Sequence, residues 1–327
     1  MNENGLAKRP LISIIIPHLN GKHHLDDCLG SLRQQSFSNF EVILADNGST
    51  DETQAYVRAE YPEVRLLELG QNLGFTGACN AGYAASRGEI IILLNNDTET
   101  DPHWLRAIVD GFARHAEAGS IASKMLLFDQ RDVFHTAGDF YTVSGLPGNR
   151  GVWRQDTGQY EQEEPVFSAC GGAAAYRRSM IAEIGFLDDD FFFSCEDIDL
   201  AWRAHIKGWQ VVYVPTAVVY HKLKASGGTG INSSYYDGRN FLYLLWKNYP
   251  TSLLRRNWRS ILNAQLAITR DALRSWRGAA ARARLFGQMA GLIGLVKMLP
   301  KRRQIQHQRR VSDETLMALL APVDESP

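Results

Sequence analysis

Two acidic clusters, remote from each other in the chain, carry the chemistry its residues could do. Asn95-Asn96-Asp97 closes an apolar run, and Glu196-Asp197-Ile198-Asp199 opens a helical pattern. Magnesium and manganese take oxygen ligands and keep part of their shell for substrate phosphates, so one carboxylate at an exposed strand end can anchor Mg2+ or Mn2+ against a diphosphate. Asp97 is the expected ligand, because Asp101-Pro102 is a good N-cap and N1 pair that already starts the next helix. In the second cluster the acids stand beside Phe191-Phe192-Phe193. A carboxylate held at a pocket wall can take the proton from an attacking hydroxyl, which is general base catalysis. Asp197 is the expected base, Glu196 a supporting residue and Asp199 a structural partner of Arg203. The helix dipole also favours acids in a first turn, which would account for any one of them taken singly.

Three further segments are open to two readings each. In Asp46-Asn47-Gly48-Ser49-Thr50-Asp51-Glu52, Gly48 allows a sharp bend and Ser49 with Glu52 fits a capping box. Asp46 could accept the N3–H of a pyrimidine or cap the turn, and the residues alone weigh these evenly. In Ala169-Cys170-Gly171-Gly172-Ala173-Ala174-Ala175 the backbone can approach a ligand closely, with Arg177-Arg178 following. Tight packing of a strand on a helix explains that run at least as well. His221 ends an apolar run before the flexible Ser226-Gly227-Gly228-Thr229-Gly230 loop, and a lone histidine there is usually just a hydrogen-bonded residue.

The elements that must position these groups follow from periodicity. Residues 11–16, 40–45, 64–69 and 89–94 are short apolar runs, each followed by helical spacing. Four strand-helix units in a row predict an α/β fold with a mainly parallel sheet covered on both faces. Ligands of such sheets bind beyond the carboxyl ends of the strands, where Asn20, Asp46, Asn72 and Asp97 all fall. The glycine- and proline-punctuated stretch up to Pro165 predicts a loop-rich insertion facing an acceptor.

Composition narrows the classes. With 327 residues, 45% hydrophobic and 22% charged, the chain can build one large core. Its four cysteines lack C-x-x-C spacing, so neither a zinc site nor a disulfide scaffold is indicated, and a reducing cytosol fits. The N-terminus lacks the apolar region of a signal peptide. The net charge of −1 hides an asymmetry: residues 251–310 hold 14 Lys/Arg against one acid, a net +13, which leaves 21 against 35, a net −14, elsewhere. Residues 285–299 are apolar but contain Gln288 and Lys297, and are too short to span a bilayer. The segment reads as amphipathic helices on an anionic membrane surface, in preference to a helical hairpin packed on the rest of the protein or on a second subunit. No nucleic-acid-binding signature accompanies the positive charge.

Taken in order, Ser13-Ile14-Ile15-Ile16-Pro17, Asp46 to Asp51, Asn72-Leu73-Gly74-Phe75, Leu94-Asn95-Asn96-Asp97, Glu196 to Arg203 and His221 resemble the motifs of family 2 inverting glycosyltransferases with the GT-A fold. The resemblance runs over residues 11–249 and is nearest to bacterial rhamnosyltransferase-like enzymes of cell-surface polysaccharide assembly. It implies a polar tail (1–10), a catalytic domain (11–249) divided into a nucleotide-binding half (11–125) and an acceptor-binding half (126–249), and a basic helical region (250–327). It implies a nucleotide site at Pro17, Asn20, Asp46, Asn72, Gly74 and Asn96, a metal position at Asp97 with His221, and the base at Asp197. Gly171, Gly172, Arg178 and Phe193 would line the donor or acceptor pocket. The implied donor is a UDP- or dTDP-linked sugar, with dTDP-rhamnose suggested by the subgroup, and the implied acceptor is a glycan or a lipid-linked glycan at the cytoplasmic face of the inner membrane. Two departures stand out: His18 replaces a small or β-branched residue, and Asn95-Asn96 replaces the first acid of the usual D-x-D, leaving one carboxylate for the cation. A sugar nucleotidyltransferase should instead show a glycine-rich basic loop, which residues 17–21 do not supply, and a silent binding protein remains if the acids are only caps.

Overall fold

The computed structural model describes residues 10–223 and 230–322, so most of the N-terminal tail and residues 226–229 of the glycine-rich loop lie outside the described residues. Four strands, β1 (Ile12–His18), β2 (Phe40–Asp46), β3 (Arg65–Glu68) and β4 (Ile90–Leu94), alternate with helices α1 (Leu25–Arg33), α2 (Thr53–Glu60) and α3 (Gly74–Ala85). Every residue of β1 and β4 is buried. Covered on both faces by helices, these strands are continuously apolar rather than alternating. They pair in parallel, with Ile14 opposite both Val42 and Ile92.

After the short strand β5 (Thr98–Thr100) and helix α4 (Trp104–Arg114), the sheet changes character. The next strands are β6 (Ala118–Leu127), β7 (Phe134–Thr136), β8 (Asp139–Tyr141), β9 (Pro147–Asn149), β10 (Glu164–Pro165), β11 (Ala173–Arg177) and β12 (Gln210–His221). The large sheet runs β10-β12-β6-β11-β4-β1-β2-β3, with β11 antiparallel to both β4 and β6, while β8 and β9 form a separate hairpin. The N-terminal half of the sheet is thus parallel and the other half is mixed. Because β11 runs against β4, Ala173 lies beside Leu94, and Arg177 lies beside Ile90 at the opposite end.

Helices α5 (Arg178–Ile184) and α6 (Glu196–Lys207) flank β11 and β12, and Gly208 ends α6 at φ 93°, as expected of a left-handed stop. Two anticipated caps are not formed. Ser49 does not cap α2, which follows Glu52 at φ 64°, and α4 begins at Trp104, with Asp101 accepting from the His103 amide at 2.8 Å instead. The chain ends in α7 (Ile231–Asn248), α8 (Thr251–Arg274), α9 (Ala279–His307) and α10 (Asp313–Ala318). Met298, Ile305 and Leu316 share a core with Tyr141, Trp202 and Tyr249, so the basic region is joined to the rest of the fold. Close contact of α9 with α7 depends on Gly287, where a Cβ would meet the Tyr235 carbonyl.

Candidate active site

A cavity of about 860 Å³ opens at the carboxyl ends of β1 and β4. Pro17, Asn20, Asn72, Gly74 and Asn96 line it together with Gly171, Gly172, Phe193, Glu196 and Asp197. Asp46 and Arg178 are not on it. Asp46 is buried, and its carboxylate accepts from the Ser49 hydroxyl, the Ser49 amide and, at 2.7 Å, Gln54 Nε2. Of its two readings, the structure forms the turn cap. Arg178 sits at the far end of β11, where Nε donates to the Gly88 carbonyl at 2.5 Å and Nη2 to Ser86 Oγ at 2.6 Å.

Side chains bound to one another build the wall at the ends of β1 and β2. The Asn20 amide donates to Ser49 Oγ at 2.9 Å, and Asn20 Oδ1 accepts from the Thr50 amide at 2.8 Å. Asn47 Nδ2 donates to the Gly74 carbonyl at 2.9 Å, and Asn72 Oδ1 accepts from the Gly74 amide at 2.9 Å. His18 contacts Asn96 Nδ2 through Nδ1 and Thr53 Oγ1 through Nε2, both at 2.9 Å. A neutral ring protonated on Nε2 satisfies both contacts, and burial, opposed by Asp46, holds its pKa below the usual histidine value. The unusual His18 is thus the brace of the Asn96 turn.

The paired strands β5 and β12 bring His221 opposite Thr98, beside Asp97. His221 Nε2 lies 3.0 Å from Asp97 Oδ1 and 3.4 Å from Asn95 Nδ2, and its Nδ1 lies 3.2 Å from His135 Nδ1. Asp97 and His221 are both buried, and the cavity surface there is made by Asn95, Asn96 and His135. Burial would raise the Asp97 carboxyl, but the His221 bond and charge outweigh it and hold the group below its ordinary value. Asp97 Oδ2 is buried without a partner among the described residues. An ionised carboxylate with one oxygen oriented by histidine and the other unmatched suits a hard divalent cation.

Lining the same cavity, α6 starts from a strained loop. Phe192, Ser194 and Cys195 have φ of 61°, 69° and 68°, a conformation that costs a side-chain-bearing residue of order 1 kcal/mol or more. Helix α7 over-determines it: Asn240 Nδ2 donates to the Phe193 and Ser194 carbonyls at 2.9 and 2.7 Å, and Arg239 Nη2 to the Phe191 carbonyl at 2.7 Å. These supports went unnoticed in the sequence, where polar residues on a helix read as its solvated face. Asp197 accepts from the Gly171 amide at 2.8 Å and the Ile198 amide at 2.7 Å. Burial raises its pKa against those bonds, and burial and then the Asp197 charge push Glu196 up to about 8. Asp199 points away, bonded to Arg203 at 2.9 Å and Lys247 at 2.7 Å. The Asn95 amide donates to the Gly172 carbonyl at 2.9 Å, so a short path links the Asp97 turn to the Gly171-Gly172 turn whose amide holds Asp197.

Asp139, Cys170 and Asp197 also bring one ligand atom each within 4.8 Å of one another, a grouping that could hold an ion. Its sulfur is a soft donor, and burial keeps the Cys170 thiol protonated well above its ordinary range, so Asp97 is the better match for magnesium or manganese.

Comparison with known proteins agrees with this geometry. An L-rhamnosyltransferase of Mycobacterium tuberculosis H37Rv, named for N-acetylglucosaminyl-diphospho-decaprenol, is 33% identical over 230 residues, 62% of this chain and 74% of its own. GalNAc-T7, solved with UDP, GalNAc and Mn2+, superposes with a TM-score of 0.61 at 15% identity, covering 90% of this chain and 57% of that one. TarS residues 1–349 of Staphylococcus aureus superpose at 0.58 and 15% identity, covering 90% of both. The family model for glycosyl transferase family 2 matches residues 13–185. With its cleft at the strand ends, lined by Glu196 and Asp197 and backed by the buried Asp97, the chain belongs to glycosyl transferase family 2 and has the GT-A fold.

Proposed function

We propose that the protein transfers a sugar, with inversion, from a nucleoside-diphosphate donor to a hydroxyl of a glycan or lipid-linked acceptor. The observation that carries this is Asp197: half-buried, oriented by two backbone amides, and lining the same cleft as the Asn96 turn. The nucleotide lies along Pro17, Asn20, Asn72 and Gly74, a wall that Asp46 supports from behind. Asp97 and His221 would hold Mg2+ or Mn2+, which supplies charge stabilisation for the departing diphosphate. Asp197 takes the proton from the acceptor hydroxyl as that oxygen attacks, the bond from the anomeric carbon to phosphate breaks, and no covalent enzyme intermediate forms. The relative's name favours a rhamnosyl donor such as dTDP-rhamnose. A nucleotide-sugar panel, followed by diphosphate release with and without Mn2+ and by NMR of the product anomer, tests the reading. No turnover of any donor, or a retained anomeric configuration, contradicts it.

The C-terminal helices support a place at an anionic membrane, at the cytoplasmic face of the inner membrane. Trp258, Leu262 and Leu266 of α8 and Phe286, Met289, Ile293 and Val296 of α9 are exposed at three- and four-residue spacing, up to 77% for Ile293. Basic residues flank them: Arg255, Arg256 and Arg270 around the first stripe, with Arg259 within it, and Arg282, Arg284 and Lys297 around the second. Helical apolar stripes with basic neighbours suit the interface of anionic lipids. No helix among the described residues is long and apolar enough to cross a membrane. Helix α7 contributes Tyr236 and Phe241 to the cleft and packs on α9, so a lipid-linked acceptor would meet the site beside that surface. Flotation with anionic vesicles should weaken in an Ile293→Asp, Val296→Asp variant, and unchanged flotation counts against it.

A further inference from the structure

A carboxyl group without any motif around it faces the base. Asp139 opens β8 on the cavity wall, and its Oδ1 accepts from Thr136 Oγ1 and Asn149 Nδ2, both at 2.8 Å. The Asp139 amide donates to the Ser168 carbonyl at 2.8 Å and its carbonyl accepts from the Ser168 amide at 3.1 Å, fixing β8 to the segment that leads to Gly171. Asp139 and Asp197 approach within 4.8 Å, with Asp139 only 5% exposed. Two carboxylates that close, one buried and the other half-buried, repel each other's charge, so the pair keeps a proton.

Of the charged groups nearby, Glu196 and Asp197 are acids, Cys170 is a neutral thiol, and Arg150 is a cation acting on Asp139. Arg150 is engaged elsewhere, with Glu164 at 2.6 Å and the Ala137 carbonyl at 2.6 Å. Burial and then the Asp197 charge push Asp139 up to about 8, whereas Asp197 has the two amide bonds that favour its ionised form.

We propose that Asp139 and Asp197 grip the acceptor together, Asp139 as a proton-bearing donor to one acceptor oxygen and Asp197 as the base for the attacking hydroxyl. This rests on the reading of Asp197 as base, and it narrows the acceptor to a sugar with a second oxygen beside the hydroxyl that attacks. In the step, the attacking hydroxyl passes its proton to Asp197, the diphosphate leaves with the electron pair of the broken bond, and Asp139 keeps its proton throughout.

The test compares Asp139→Asn and Asp139→Ala in the full chain. Asn is a neutral donor of the same shape and preserves the Thr136 and Asn149 contacts better than Ala. Ala should raise the acceptor KM about tenfold, the scale of one lost hydrogen bond, with the donor KM unchanged, and Asn should recover most of that loss. Wild-type kcat/KM for the acceptor should fall as pH rises past about 8, where Asp139 ionises, and the Asn variant should lack that limb. An Asn variant that keeps the alkaline limb, is as impaired as Ala, or alters the Mn2+ requirement overturns the proposal. An active Asp197→Asn enzyme would instead sink the base reading, whatever the Asp139 variants do.

Discussion

Gly74→Ala should uncouple the two walls of the cleft. Gly74 begins α3 at φ 77°, and a Cβ there would lie 2.6 Å from both the carbonyl oxygen and the Cδ2 of Phe192. That carbonyl accepts from the Phe75 amide at 2.8 Å and the Thr76 amide at 3.3 Å, which ties α3 to the strained loop that launches α6. A side-chain-bearing residue in this left-handed conformation costs about 1–2 kcal/mol. Displacing Phe192 forfeits the two backbone bonds at about 0.5–1.5 kcal/mol each, for a total of about 2–5 kcal/mol. At roughly 2 °C per kcal/mol for a domain of this size, differential scanning fluorimetry should show Tm lower by about 4–10 °C. Asp197 stands five positions beyond Phe192, so a sub-ångström shift of the loop should lower kcat about tenfold, because misplacing a catalytic group by 1 Å can cost ~10²-fold. Unchanged Tm and kcat in the purified variant would refute the claim that Phe192 is held against α3.

Asp97→Asn should weaken cation binding and lower transfer by about 10²-fold or more, the usual scale for removing one group that stabilises developing charge; an unchanged half-saturating Mn2+ concentration would exclude Asp97 as ligand. Lys247→Met should cost about 3 kcal/mol in urea unfolding, because Lys247 is buried between Asp188 at 2.6 Å and Asp199 at 2.7 Å. The low end of that range applies, since Asp199 retains Arg203 and Asn248 and Asp188 retains Lys301. Glu196 has a folded-state value of about 8 against an ordinary 4.5, so folding retains a proton that the unfolded chain has released. Its contribution to stability is fully present below about pH 4.5 and is lost as pH rises to about 8, and Glu196→Gln should flatten that decline in thermal melts.

The parallel half of the sheet could be read directly, because strands buried on both faces leave a continuous β-branched run. The Asp97–His221 contact could not, since it depends on β12 pairing with β5 across the fold; only the resemblance singled out His221. Arg178 shows how local spacing misleads. It follows Gly172 by six positions, but a strand rises about 3.3 Å per residue, and β11 carries the chain away from the cleft. Asp46 was evenly balanced until Ser49 and Gln54 were seen to occupy its oxygens. Asp139 and Asn240 left no trace, one a single acid in a loop-rich stretch and the other a polar helix residue, because their roles arise only from what the fold places opposite them.

The central claim is that the Asp197 carboxylate accepts the acceptor proton. Single-turnover transfer by Asp197→Asn, run beside isothermal titration of the donor nucleotide, tests it most directly. The account predicts donor affinity within about threefold of wild type and transfer slower by at least ~10²-fold, the lower range for a positioned general base. Transfer at the wild-type rate, with the same product anomer, would contradict it.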